Sequence, residues 1–132
     1  MAETPQFLKG SIAWADLSVE NATELSEFYM QVIGWGTSKV DMGGYFDYCM
    51  TTPKTSIPVA GVCHSRGENA GIPSQWLMYV VVDNLDHSLA ACIRLGGKPL
   101  TPIRSHGPNS RYCVIQDPAG AVLAIYQNKS SI

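Results

Sequence analysis

The chain has 132 residues, nine of them Lys or Arg and eleven Asp or Glu, for a net charge of −2; 45% are hydrophobic and only 15% charged, against roughly 25% charged in an average domain. That balance excludes a disordered or coiled-coil chain, and the absence of a basic stripe argues against nucleic-acid binding. No run approaches the roughly 18 apolar residues of a membrane span, and the opening MAETPQFLKG has no apolar signal core, so the expectation is one cytoplasmic domain.

Ser11 to Val19 reads as a first strand, followed by a helix from Ala22 to Ile33. Leu25, Phe28, Tyr29, Val32 and Ile33 recur at helical spacing as one apolar stripe, Asn21 is the cap, and Gly34 the stop. Strands follow at about Thr37–Val40, Tyr45–Met50 and Pro58–Cys63. The polar, Gly- and Pro-bearing stretch Ser65 to Ser74 reads as a linker. Beyond it come a strand over Gln75–Val82, a helix from Leu85 to about Leu95 with Asp83 as cap, and Gly96-Gly97 as stop. Three more strands are expected near Lys98–Pro102, Arg111–Gln116 and Ala121–Gln127.

The two sides of the linker repeat one order of elements. Trp14 and Trp76 are 62 positions apart, as are Gly34 and Gly96, and the same offset pairs Val19 with Val81 and Asn21 with Asp83. This is a tandem βαβββ pattern in a single α+β domain, with module one over about 11–64, a linker over 65–74 and module two over about 75–128. Cys49, Cys63, Cys92 and Cys113 form no CxxC and each sits in an apolar stretch, which reads as structural thiols.

Phe28-Tyr29 with Val32-Ile33-Gly34-Trp35, and Asp117-Pro118-Ala119-Gly120 before the last strand, resemble two motifs of the vicinal oxygen chelate superfamily. That superfamily includes glyoxalase I, extradiol dioxygenases and bleomycin-resistance proteins, and within it the chain looks most like short relatives of lactoylglutathione lyase. The resemblance implies two βαβββ modules whose curved mixed sheet surrounds a cleft, usually in a homodimer. It also implies a divalent metal held by His, Glu or Gln from the first and last strand of each module. Counting from the caps and from Asp117 puts those ligands at Trp14, Trp76, Gly61 (or Ala60) and Ala124, none of which has a donor side chain.

What strand alternation leaves for the cleft is aromatic and apolar. If Trp14 faces it, so do Ile12 and Asp16, with Trp76, Met78 and Val80, Val59, Gly61 and Cys63, and Val122, Ala124 and Tyr126. Trp14 and Trp76 either stack on a ligand or pack the sheet. Asp16 is either a carboxylate in an apolar cleft, hence an acid, base or cation anchor and the best catalytic candidate, or a rim acid paired with Arg or Lys. His87 reads as solvated, His64 ends a strand, and His106 lies in a loop; the facing of Tyr45, Tyr48 and Arg111 stays open. The expected function is metal-free binding of an apolar or aromatic small molecule, cationic or not, by Trp14, Asp16, Trp76, Met78 and Tyr126, with no cofactor. One alternative is a glyoxalase-like lyase, isomerase or dioxygenase using a divalent metal, with ligands from Asp16, His64, His106 or Cys49. Another is a non-catalytic dimerisation module.

Overall fold

A computed structural model describes residues 8–105 and 107–128. Its elements follow the expected order: β1 (Ile12–Val19), α1 (Ala22–Ile33), β2 (Gly36–Asp41), β3 (Phe46–Thr51), β4 (Pro58–His64), β5 (Trp76–Val81), α2 (Leu85–Arg94), β6 (Lys98–Pro99), β7 (Arg104–Ser105), β8 (Ser110–Gln116) and β9 (Val122–Asn128). Two compact units result. One comprises Ala15–Trp76; the other joins the described residues up to Trp14 to those from Leu77 onward.

In the Ala15–Trp76 unit the strand order is β2-β3-β4-β1, with β1 parallel to β4 and the other pairs antiparallel. Helix α1 lies on one face, its Ala22 packed into a core with Tyr48, Met50, Ala60 and Val62. The helix is turned from its expected stripe. Ala22 and Ser26 are its buried residues, Leu25, Tyr29 and Met30 pack beside them, and Phe28, Val32 and Ile33 are exposed. Small side chains at 22 and 26 let the helix axis come close to the sheet, and Ser26 stays satisfied by donating to the Thr23 carbonyl at 2.8 Å. Gly34 adopts the left-handed conformation at φ 89° and closes the helix onto the Met30 carbonyl.

The second unit has the order β6-β8-β9-β5, with β7 also pairing β8; of the expected strand Lys98–Pro102 only Lys98–Pro99 forms, and a second short piece, Arg104–Ser105, follows beyond it. Strand β5 is parallel to β9, as β1 is to β4. Helix α2 covers Leu85, Cys113 and Ile125. Its cap is Asn84, whose side chain accepts the His87 N–H at 3.0 Å, and not Asp83. Gln127 reinforces that end by accepting the Leu85 N–H at 2.7 Å. The Asp117–Gly120 turn forms as its sequence dictates, with the Asp117 carboxylate accepting the N–H groups of Ala119 and Ala121.

The repeat offset also needs correction. Asp16 pairs with Gly61 and Tyr79 with Ala124, each residue lying 63 positions from its counterpart. The helix starts, Ala22 and Leu85, and the caps, Asn21 and Asn84, are 63 apart as well. The offset falls to 62 only at Gly34 and Gly96, beyond a second helix that is shorter than the first. The tryptophan match at 62 is a coincidence of composition, and the counterpart of Trp14 is Leu77.

Candidate functional site

Strand alternation sorts the Ala15–Trp76 unit into two chemically different faces. Leu17, Tyr48, Met50 and Val62 point toward α1, and Asp16, Ser18, Asp47, Cys49, Gly61 and Cys63 line the opposite face. The register places Asp16 beside Gly61, Ser18 beside Cys63, and Cys49 on the other side of Gly61. The carboxylate of Asp16 lies directly over Gly61. A Cβ at position 61 would overlap Asp16 Oδ1 and sit 3.6 Å from Cys63 Sγ. Any side chain at 61 would require the carboxylate to move.

The surroundings of the thiols on this face favour their protonated form. Burial pushes Cys63 well above the ordinary thiol range, and the negative charges of Asp16 and Asp47 push it further. Burial also raises Cys49, opposed by a hydrogen bond with Ser38 and assisted by Asp16. Both are neutral, polarisable groups flanking a carboxylate.

At the end of β4, where alternation turns His64 to the side of Val62 and its ring lies 6.4 Å from that of Tyr48, Asp47 and His64 meet as a second polar group; Asp47 was not singled out in the sequence. Asp47 is buried, and its Oδ1 accepts the His64 backbone N–H at 2.8 Å and lies 3.4 Å from His64 Nδ1. The ring of Tyr45 stands edge-on to His64 with centroids 5.5 Å apart, and the Arg66 guanidinium lies 4.0 Å above the Tyr45 ring. The alternation in Phe46-Asp47-Tyr48-Cys49-Met50 was the available signal: it puts Asp47 on the face of Cys49 and Tyr48 against the helix, where its hydroxyl meets Thr23 at 2.7 Å.

The residues singled out in the sequence fall in several places. Trp76 packs on the α1 side, its Nε1 donating to the Tyr29 hydroxyl at 3.1 Å and its ring 6.0 Å from Trp35. Trp14 is half-buried and Met78 is exposed. Tyr126 donates to Ser110 Oγ and accepts from Asn128 Nδ2, both at 3.2 Å. The facing expected for β5 is reversed. Because Tyr79 pairs with Ala124 and Val81 with Tyr126, the face of Tyr126 is shared by Leu77, Tyr79 and Val81, whereas Met78 and Val80 point the other way, with Ile125. Arg111 bonds Asp86 at 3.1 Å and Gln127 at 3.3 Å, beside the start of α2. His87 is exposed, and His106 lies outside the described residues.

These positions do not fit the divalent metal that the fold family implies. With the corrected offset the four expected ligand positions hold Trp14, Leu77, Gly61 and Ala124, and no side chain among them offers a lone pair to a cation. Over Gly61 the Asp16 carboxylate supplies one donor. Among the described residues no three His, Cys, Asp or Glu side chains stand close enough to hold a metal ion.

Two βαβββ units with this register define a vicinal-oxygen-chelate fold, and comparison with known proteins agrees. The profile of the Glyoxalase/Bleomycin resistance protein/Dioxygenase superfamily matches residues 11–125, and the chain belongs to that superfamily. Mycobacterium bovis and Mycobacterium tuberculosis proteins named "Putative glyoxylase CFP32" are 27% identical to it over 128 residues, which is 96% of this chain and 49% of each of theirs. The chain thus spans about half the length of these curated relatives. Among solved structures, methylmalonyl-CoA epimerase from Mycobacterium tuberculosis superposes with a TM-score of 0.52 at 16% identity, covering 97% of this chain and 93% of the epimerase. A superfamily member from Vibrio splendidus 12B01 gives 0.55 at 10% identity, covering 86% and 96%. At these identities the solved structures speak for the fold alone.

Proposed function

We propose that this chain is a small-molecule-binding domain that works without a divalent metal and receives the cationic or strongly polar group of an otherwise apolar or aromatic ligand at Asp16. The observation that carries the reading is the Asp16–Gly61 arrangement. Where the family resemblance implies a metal ligand on the last strand of module one, this chain has a glycine, and a carboxylate from the neighbouring strand fills the space above it. A carboxylate flanked by two protonated thiols offers charge to a cation in a weakly polar setting, where electrostatic attraction is larger than in water. The low charged fraction of the chain suits an apolar partner.

The test is a binding comparison between aromatic amines and their neutral isosteres, read by calorimetry and thermal shift. The reading expects the amines to bind wild type and to lose about tenfold or more in affinity in Asp16→Asn, as for a charge-assisted contact. Equal binding of amine and isostere, or no change in Asp16→Asn, would contradict it. The name of the mycobacterial relatives favours a second reading, a glyoxalase-like enzyme. That reading expects turnover of a glyoxal-derived substrate that depends on added divalent metal.

A further inference from the structure

The Asp47–His64 pair plays no part in the reading above, yet its geometry is that of a prepared base. The Asp47 side chain is only 6% exposed and is anchored by the His64 backbone N–H, so its carboxylate stays beside the imidazole. In the tautomer that carries its proton on Nδ1, that N–H faces the Asp47 carboxylate at 3.4 Å and Nε2 is the acceptor nitrogen. The His64 side chain keeps 16% of its surface exposed, so the ring is not sealed from small molecules. Beside it stands the Tyr45 ring, which carries the Arg66 cation on its face. Base, aromatic surface and cation in one place match the demands of a planar molecule with an acidic hydroxyl.

We propose that Asp47, His64, Tyr45 and Arg66 form a recognition site for a phenolic hydroxyl, with His64 Nε2 as the acceptor and Asp47 as the residue that positions it. In the bound state the ligand O–H donates to Nε2. Arg66, lying on the Tyr45 ring, adds positive charge to the site. This deepens the preceding reading and rests on it for the presence of a small-molecule ligand, but it uses different side chains, so the two fail separately.

The experiment uses the full chain labelled with nitrogen-15, with p-cresol as probe and its methyl ether, 4-methylanisole, as control. Long-range proton–nitrogen spectra of free protein should show His64 protonated at Nδ1 and bare at Nε2. Titration with p-cresol should move the Nε2 resonance, and 4-methylanisole should not. The p-cresol response should weaken about tenfold in Asp47→Asn, the scale of losing one charge-assisted hydrogen bond. Should Asp47→Asn fail to fold, His64→Ala serves instead, since it leaves the Asp47 bond to the backbone in place. It should abolish the p-cresol shifts read at the Tyr45 ring. A proton on Nε2 in the free protein, equal responses to cresol and ether, or p-cresol shifts that survive His64→Ala would each overturn the proposal.

Discussion

Gly61 and Asp16 occupy one volume between them, and substitutions there should reveal it. Adding a methyl at Gly61 drives it into the Asp16 carboxylate, so Gly61→Ala should destabilise the protein by about 1–3 kcal/mol, as overpacking does. Pairing it with Asp16→Ala should recover most of that loss, and urea denaturation of the four proteins in the cycle would measure the coupling. Cys63 gives a second prediction. The folded protein keeps the thiol proton that the unfolded chain releases above about pH 8.5, so folding stability falls as pH rises past that point. Wild type should lose up to about 1.4 kcal/mol more per pH unit than Cys63→Ala in that range, and should show no such difference near neutrality. The residues behind these predictions were unevenly legible. Asp16 stood out as an acid among apolar neighbours, but its partner Gly61 was visible only as a missing ligand, because the strand pairing that joins them is a tertiary fact. The pairing of Asp47 with His64 was hidden for the same reason: 17 positions apart in the chain, they meet only once β3 and β4 pair.

At the scale of elements, both helices and all but the shortest strands were readable from periodicity and from glycine stops. The register of β5 was not. A one-residue error in the repeat offset, prompted by the matching tryptophans, turned that strand over, since the side chains of a strand alternate with period two. The rotation of α1 was likewise obscured, because periodicity favours the largest apolar residues, whereas close packing on the sheet favoured Ala22 and Ser26. The caps supply a test of the corrected frame. Asn84→Ala removes a formed cap bond and should cost about 1 kcal/mol. Asn21→Ala should cost measurably less, because Asn21 makes no side-chain cap bond. Leu85, fully buried at the start of α2, should cost about 2–5 kcal/mol on truncation to Ala. Thermal or urea unfolding of the three variants would rank them.

The whole chain belongs to a superfamily in which one fold serves several chemistries, so membership alone leaves the function to the side chains. Here Trp14, Leu77, Gly61 and Ala124 stand where donors are implied, the Asp16 carboxylate over Gly61 is a single donor, and among the described residues no three donor side chains gather to hold an ion. The direct measurement is calorimetric titration of metal-stripped protein with zinc, nickel, iron(II) and manganese(II), each in turn, at neutral pH. Heats no larger than dilution, and an unfolding midpoint that no metal raises, are the predicted result. Saturable binding of one ion per chain at micromolar affinity or tighter would contradict the account and return the glyoxalase-like enzyme to first place.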